Sequence, residues 1–382
     1  MRYPNVTRMA PADDRTSSAR APRPIRIDVT SERGTYPVVI GAGLTTSPAA
    51  MLESLGLPPQ ALVVSAPAIW KLHGEPWSAV AGTRGPVLIN DGERAKTLAT
   101  VARLYDAFNE NALDRAATVV ALGGGTIGDI TGFAAATYLR GLAVIQVPTT
   151  LLAQVDSAIG GKTGVNLVAG KNLVGAFHSP SAVLCDPHVL GSLPRREFRS
   201  GLYEVIKYGV IASRSLLDTV AKDSHAIFDR DAGVLTPLIA ECCRIKAAVV
   251  MADERESGPR RALNFGHTVG HALEAITRYR RFRHGEAIGY GMLAAARISR
   301  QRDLISESEL STINNTIRSL GPMPAVTDLS ITEAVAAMAH DKKVVNGRLH
   351  FIAANGLGST VAVTDVTVDE LKSALREIGL QS

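Results

Sequence analysis

Histidines and a carboxylate recur in this sequence at spacings that suit metal chemistry. His267 and His271 stand four residues apart in GHTVGHALE, so a helix there would place both on one face. His284 begins HGEA, and Glu204 lies in EVIKYG, three residues before Lys207. These side chains can bind a divalent metal, although His284 could equally cap a helix and His271 face water. The HxxxH pair lacks the glutamate of HExxH, which argues against a zinc protease.

A run of three glycines follows the apolar stretch at residues 118–123, which is typical of a buried strand. Gly123, Gly124 and Gly125 allow a tight turn, and a helical pattern begins near Ile127. The open N–H groups and positive dipole at such a helix start suit a pyrophosphate. The spacing G-x-G-x-x-G is absent, so the turn alone is also consistent with an ordinary strand-to-helix connection.

Isolated cations lie near these two groups, mostly beside glycine, asparagine or aspartate rather than in surface charge runs. Asp156 stands among small and apolar residues, six positions before the cation Lys162. Each cation alone is typical of a surface or salt-bridge residue, but together they predict an anionic substrate with more than one charged group. The cations are Arg140, Lys162, Lys171, Lys207, Lys246, Arg260 and the pair Lys342 and Lys343.

The predicted secondary structure that positions these residues changes near Pro187, from alternating strands and helices to mainly helices. Before it, short apolar runs such as ALVVSA and LAVIQV alternate with helical patterns, which predicts a parallel α/β sheet with ligands beyond the carboxyl ends of its strands. After it, helical patterns dominate, followed by a late pair of strand-like runs. We predict an α/β domain over residues 25–187 and a mostly helical domain over residues 188–382. The helical patterns cover residues 198–211, 216–227, 234–251, 260–278 and 284–300.

The composition narrows the class of protein. Of 382 residues, 46% are hydrophobic and 20% charged, which is typical of a soluble globular chain. Residues 1–24 are Arg-rich and aperiodic, and we predict a disordered tail without a secretory signal. No apolar run approaches the ~20 residues of a membrane span, and no basic stripe with aromatics suggests nucleic acid. The three cysteines form no disulfide framework, which indicates a cytoplasmic protein.

Eleven ordered motifs give the chain, over about residues 25–380, a resemblance to the 3-dehydroquinate synthase family. So many matches in one order are far more specific than any single glycine turn. The motifs are DGERAK (91–96), GGGTIGD (123–129), YLRG (138–141), VPTTLLAQVDSAIGGKTGVN (147–166), GKNLVGAF (170–177), LPRREF (193–198), EVIKYG (204–209), DERE (253–256), LNFGHTVGHALE (263–274), HGEA (284–287) and DKK (341–343).

The resemblance implies a Rossmann-like α/β domain that binds NAD, followed by an all-α domain that binds zinc or cobalt. It implies that Glu204, His267 and His284 bind the metal, while His271 faces the substrate. The NAD contacts that it implies are Asp91, Glu93, Lys96, Gly123, Gly124, Gly125, Asp129, Thr149, Thr150, Asp156, Lys162, Lys171, Ser192 and Glu197. The substrate contacts that it implies are Arg140, Asp156, Lys162, Asn172, Lys207, Lys246, Arg260, Asn264, His271 and Lys342 or Lys343.

The implied reaction converts 3-deoxy-D-arabino-heptulosonate 7-phosphate to 3-dehydroquinate and phosphate, in the shikimate pathway. NAD would oxidise C5, phosphate would leave by elimination, NADH would return the hydride, and the opened ring would close again as a carbocycle. The residue types suit this substrate: Lys246 and Arg260 match its carboxylate. Lys162, Asn172, Asn264 and His271 match its phosphate. The family is often dimeric, and Arg140 is expected to reach the neighbouring subunit's site.

Three other functions are compatible with parts of this pattern. A cyclitol-forming cyclase acting on sedoheptulose 7-phosphate shares the fold, NAD and metal, but its substrate offers no carboxylate to Lys246 and Arg260. A metal-dependent polyol dehydrogenase would need no phosphate-binding set. A binding protein without catalysis would be expected to lack some metal or NAD positions, and all of them are present. The sequence therefore favours the synthase.

Overall fold

A seven-stranded sheet forms the N-terminal half of the computed structural model, which describes residues 23–256, 258–339, 344–345 and 348–381. The strand order is β1-β2-β9-β6-β5-β3-β4, and every neighbouring pair except β1 with β2 is parallel. The predicted parallel α/β architecture is therefore confirmed. The strands are β1 (Ile25–Ser31), β2 (Gly34–Ile40), β3 (Leu62–Ser65), β4 (Val87–Leu88), β5 (Thr118–Gly123), β6 (Ala143–Pro148) and β9 (Ala182–Cys185).

The central strands end together at one edge of this sheet. All six residues of β5 are buried, and Gly123 at its end lies opposite Pro148 at the end of β6. The segments that follow these two strands are therefore neighbours, as expected for a parallel sheet. The helices of this half are α1 (Pro48–Ser54), α2 (Pro67–His73), α3 (Ser78–Ala81), α4 (Leu98–Glu110) and α5 (Gly125–Thr137).

A two-stranded hairpin, β7 (Lys162–Leu167) with β8 (Gly170–Phe177), lies outside the main sheet. It packs against α5, where a Cβ on Gly132 would come within 2.4 Å of the Thr163 side chain. The small residues of α5 thus allow the hairpin to approach its backbone closely. Its strands carry Lys162, Lys171 and Asn172.

The C-terminal half is mostly helical, as predicted, and the late strand pair forms β12 (Phe351–Ala354) with β13 (Thr360–Val363). A second short pair is β10 (Val344–Val345) with β11 (Arg348–Leu349). The helices are α6 (Arg195–Ile211), α7 (Arg214–Lys222), α8 (Ser224–Phe228), α9 (Ala232–Ala252), α10 (His267–Ile276), α11 (His284–Gln301), α12 (Glu307–Ser319), α13 (Ile331–Ala339) and α14 (Val368–Glu377).

Two of the predicted helices are wrong in their extent. The pattern at residues 216–227 is divided between α7 and α8 at Asp223. The pattern at residues 260–278 is a short 3-10 turn, Pro259–Asn264, followed by α10. Gly266 separates them because its φ of 78° is left-handed, which breaks the helical path.

One continuous core joins the two halves, since buried residues of β1, β2 and β9 belong to the same hydrophobic cluster as those of α6, α9 and α11. The strand β9 ends at Cys185 and α6 begins at Arg195, on either side of the predicted boundary, which stays a prediction. Among the described helices, none has the length and apolar character needed to cross a bilayer. Lys342, Lys343 and residues 1–22 of the predicted tail lie outside the described residues.

Candidate active site

Three helices bring Glu204, His267 and His284 together. Glu204 lies in the middle of α6, while the two histidines are the first residues of α10 and α11. The Oε1 atom of Glu204 is 3.7 Å from Nε2 of His267 and 3.6 Å from Nε2 of His284. One ligand atom from each residue lies within 4.8 Å of the others. The three side chains therefore converge on one point.

This cluster fits a metal ion with an open coordination position. Glu204 is fully buried, and its Oε1 has no hydrogen-bond partner among the described residues. An orphaned buried carboxylate oxygen is costly unless a cation is bound there. Ligands at 2.0–2.1 Å from a tetrahedral ion lie about 3.4 Å apart, close to the separations seen here. Two nitrogens and one oxygen form a typical donor set for catalytic zinc.

A hydrogen-bond acceptor contacts the Nδ1 atom of both His267 and His284. The Nδ1 atom of His284 is 3.3 Å from Oε2 of Glu274, and Nδ1 of His267 is 3.1 Å from the carbonyl oxygen of Phe265. Each contact favours the tautomer whose Nε2 lone pair points toward Glu204. Burial would raise the pKa of Glu274, but the neighbouring His284 lowers it to about 2, so this acceptor is charged at neutral pH.

His271 offers a second combination of ligands with Glu274 and His284. Its ring centroid is 5.3 Å from that of His267 and 6.0 Å from that of His284. Glu274 is already engaged by His284 and by Lys171 at 3.4 Å, whereas Oε1 of Glu204 accepts no hydrogen bond within the described part of the chain. The geometry therefore favours the set that contains Glu204.

A buried group of charges adjoins the metal cluster. Lys207, one helical turn after Glu204, is 1% exposed and ion-pairs with it. Lys246 on α9 donates to Oδ1 of Asp156 at 2.6 Å, and Tyr208 donates to the same oxygen at 2.6 Å. Burial opposes ionisation, but Lys246 and Lys207 hold the pKa of Asp156 well below its usual range. Cations and carboxylates thus alternate across this wall of the site.

Tyr208 is a site residue that the sequence analysis missed. It lies four positions after Glu204, so the helical periodicity that links Glu204 to Lys207 places Tyr208 on the same side of α6. Asp156 lies in a π-helical turn, Ala153–Ser157. Such turns frequently mark functional positions, and no spacing in the sequence reveals this one.

The glycine turn meets the start of α5 as the sequence predicts. A Cβ on Gly124 would lie 3.0 Å from Thr150, and one on Gly125 would lie 2.8 Å from Oγ of Ser157. The backbone of Thr149 donates to the carbonyl oxygen of Gly123 at 2.9 Å. The Oγ atom of Ser157 is buried and unpartnered among the described residues, so it joins the polar groups that face this turn.

A groove of about 390 Å³ adjoins the turn and is lined by Glu93, Lys96 and Asn166. Lys96 donates to Asp129 and to Asn172, each at 2.6 Å. Burial raises the pKa of Asp129, although Lys96 opposes the shift. The volume is within the range of small-molecule sites. Lys96 thus links the groove to Asp129, which lines the small cavity at the glycine turn.

The remaining predicted residues are more dispersed. Ser192 hydrogen-bonds His73 at 2.8 Å, and Glu197 pairs with Arg283 at 2.6 Å. Asp91 accepts only from the backbone of Gly92 within the described contacts. These residues line no described part of the groove or the metal cluster.

Arg140 is exposed at the far edge of the main sheet. It precedes β6, whose other end lies beside Gly123, so one strand length of about 15–20 Å separates Arg140 from the glycine turn. Its φ of 70° and that of Leu139, 48°, are left-handed. The structure does not bring Arg140 to the glycine turn of its own chain.

Lys162 and Asn264 meet at a third residue, Glu256. Lys162 ion-pairs with its carboxylate, and Nδ2 of Asn264 donates to its Oε1 at 2.7 Å. Arg260 is 1% exposed and donates to the carbonyl oxygens of Glu254 and Gly160, while its Nε has no partner among the described residues. Glu256 is the second site residue that the sequence analysis missed.

Family models match most of the chain. The 3-dehydroquinate synthase N-terminal model matches residues 86–200, and the C-terminal model matches residues 201–344. The 3-dehydroquinate synthase of Pelotomaculum thermopropionicum is 44% identical over 340 residues, covering 88% of this chain and 92% of its own. That of Nostoc sp. is 43% identical over 359 residues, covering 92% and 99%.

Two solved structures have the same architecture. ValA, the 2-epi-5-epi-valiolone synthase of Streptomyces hygroscopicus with NAD+ and Zn2+ bound, has a TM-score of 0.81 and 29% identity, covering 90% of this chain and 96% of its own. A 2-deoxy-scyllo-inosose synthase complexed with carbaglucose-6-phosphate, NAD+ and Co2+ has a TM-score of 0.80 and 27% identity, covering 92% and 100%.

Proposed function

The chain belongs to the 3-dehydroquinate synthase family, and on this premise we propose that it converts 3-deoxy-D-arabino-heptulosonate 7-phosphate to 3-dehydroquinate and phosphate. The observation that supports this most directly is the convergence of His267 and His284 on the orphaned oxygen of Glu204, beside the buried Lys207. The reaction is a carbon–oxygen lyase reaction, because phosphate leaves by elimination and NAD is regenerated.

We assign the metal to Glu204, His267 and His284, and NAD to the glycine turn and the adjoining groove. When bound, the metal lowers the pKa of a hydroxyl that it contacts, and NAD accepts and later returns a hydride. Zinc and cobalt both suit the donor set, and one of the two related structures contains Zn2+ and the other Co2+. We place the pyrophosphate at the start of α5, where Gly124 and Gly125 add no Cβ beside Thr150 and Ser157.

The protein's own residues orient the substrate and stabilise charge. Although burial opposes it, Glu204 and Asp156 raise the pKa of Lys207, so this lysine stays cationic beside the metal cluster. There it stabilises negative charge that develops on the substrate's oxygens. We assign Lys246 and Arg260 to the carboxylate. We assign Lys162 and Asn264 to the phosphate, which they bind until it leaves C7.

Phosphate release from 3-deoxy-D-arabino-heptulosonate 7-phosphate is the first expected result. With NAD and zinc present, we expect turnover without net NADH, because the hydride is returned. A chelator should abolish it, and added zinc should restore it. A coupled phosphate assay with absorbance at 340 nm measures both quantities. Net accumulation of NADH would instead indicate a dehydrogenase.

A cyclitol-forming cyclase is the alternative, since both solved relatives above make such products. Sedoheptulose 7-phosphate discriminates between the two, because it lacks the carboxylate that we assign to Lys246 and Arg260. Turnover of that sugar, with no turnover of the heptulosonate, would mean that the chain is a cyclitol-forming cyclase. The assignment of Lys246 and Arg260 to a carboxylate would then be wrong.

We also propose a homodimer in which Arg140 completes the phosphate site of the neighbouring subunit. The exposure of Arg140 supports this. We expect a solution mass near twice 40.4 kDa. Arg140→Ala and Glu204→Gln should each be inactive, yet a mixture should regain about a quarter of the sites, because half of the dimers are mixed and each has one intact site. No recovery on mixing would mean that Arg140 acts within its own chain.

A further inference from the structure

The structure offers a negative charge at the place proposed for the substrate's phosphate. We propose that Glu256 is a specificity-determining residue whose carboxylate neutralises Lys162 and occupies the amide donor of Asn264 until a phosphate ester displaces it. The proposal rests on the function proposed above, since it takes these two residues as the phosphate partners. It adds a competitor, supplied by the chain itself, to that subsite.

The contacts of Glu256 resemble those of a bound anion. Its two carboxylate oxygens are divided between Lys162, which ion-pairs with Oε2, and Asn264, which donates to Oε1 at 2.7 Å. The two donors come from different parts of the chain, the hairpin strand β7 and the 3-10 turn before α10. A single carboxylate therefore joins the two halves of the molecule at this point.

The surrounding segment holds Glu256 in this position from both sides. The side chain of Asp253 accepts from the backbone of Gly258 at 2.7 Å and of Arg260 at 3.1 Å. Glu254 accepts from the backbone of Glu32 at 2.8 Å. Between these anchors, Glu256 adopts a left-handed φ of 62°, which costs a residue with a side chain about 1 kcal/mol. This strained backbone conformation accompanies the ion pair between the Glu256 carboxylate and Lys162.

The charge on Glu256 is present at neutral pH. Burial favours the neutral form, but Lys162 and the hydrogen bond from Asn264 outweigh it and lower the pKa of Glu256. The pair is partly exposed, with 47% of the Lys162 side chain and 29% of the Glu256 side chain accessible. Partly exposed pairs are weak, of the order of 1 kcal/mol or less, so an incoming anion can replace the carboxylate.

A resident carboxylate discriminates between incoming anions by charge. A phosphate ester carries nearly two negative charges and three oxygens, so it outcompetes a single carboxylate for Lys162 and Asn264. The carboxylate of the substrate has the same charge as Glu256 and gains nothing by displacing it. The competition therefore disfavours a reversed orientation in which the substrate's carboxylate would occupy the phosphate subsite. The same competition lowers the affinity for inorganic phosphate, which must leave after each turnover.

The test measures binding of inorganic phosphate to the holoenzyme loaded with NAD and zinc. By calorimetry, we expect Glu256→Gln to bind phosphate about fivefold more tightly than the wild type, which corresponds to the strength of a partly exposed pair. Competitive inhibition by phosphate should strengthen by the same factor. The matched control is Glu32→Gln, because Glu32 pairs with Arg255 in the same region but does not contact Lys162. This control should bind phosphate as the wild type does.

Unchanged or weaker phosphate binding in Glu256→Gln would overturn the proposal, because Glu256 would then be supporting the site rather than competing for it. The same conclusion follows if neither protein binds phosphate. Tighter binding without turnover of the heptulosonate would support the proposal and reject the proposed substrate. If the variant fails to fold, a wild-type crystal soaked in phosphate decides, since Glu256 must then have left Lys162.

Discussion

Replacing Glu204 by glutamine is expected to lower kcat/KM at least about a thousandfold, because the proposed metal site would lose its anionic ligand and a Lewis acid supplies several kcal/mol of stabilisation. Glutamine has nearly the same shape, so the packing of α6 is retained. Its amide, however, offers a neutral oxygen to the ion and leaves Lys207 without its ion-pair partner. We expect zinc content after dialysis to fall from about one per chain to nearly none.

Elemental analysis of dialysed protein, together with steady-state kinetics, checks this result. Glu241→Gln is the matched control, because Glu241 lies on α9 and pairs only with Arg244 among the described residues. Glu274→Gln separates the two possible ligand sets. If Glu274 only orients His284, its variant should weaken zinc binding about 10- to 100-fold. Loss of zinc in Glu274→Gln with full retention in Glu204→Gln would establish the set that contains His271 instead.

The metal cluster shows how far a sequence can specify a site. Glu204, His267 and His284 could be selected by residue type and by motif, but their convergence depends on three helices packing together. The sequence also predicts His267 in the interior of a helix, whereas the structure places it first in α10. Hydrophobic periodicity does not register Gly266, whose left-handed φ of 78° resets the path. A Cβ there would lie 2.7 Å from Met292, so glycine also permits α11 to approach.

The features that sequence reasoning missed share a physical cause. The hairpin of β7 and β8 is rich in glycine and polar residues, and it is stabilised by close contact with α5 rather than by an apolar pattern of its own. Glu256 is one acid in a charged run, DERE, where nothing local separates it from its neighbours. The pairing of Glu256 with Lys162 depends on the hydrogen bonds that Asp253 and Glu254 accept, and these contacts exist only in the folded chain.

Asp156→Asn is expected to have the largest effect on stability. Asp156 pairs with Lys246 at 2.6 Å, and the side chains of Lys246 and Asp156 are 8% and 24% exposed. Removing one member of a buried pair leaves an uncompensated charge and costs about 3–5 kcal/mol. Burial already lowers the pKa of Lys246, so this lysine can lose its proton and relieve part of the penalty. We therefore expect a loss of about 3 kcal/mol in the free energy of unfolding at pH 7.

The pH dependence of this loss identifies its origin. The folded-state pKa of Asp156 lies well below the usual value, so its ionisation stabilises the fold above about pH 4 and ceases to do so as the pH falls through the folded pKa. The difference between wild type and Asp156→Asn should thus shrink as the pH falls below 4. Urea unfolding at each pH measures it, with Asp106→Asn on α4 as an exposed control expected to change stability by less than about 0.5 kcal/mol. A difference that persists undiminished at pH 3 would mean that lost packing, rather than the charge of Asp156, causes the destabilisation.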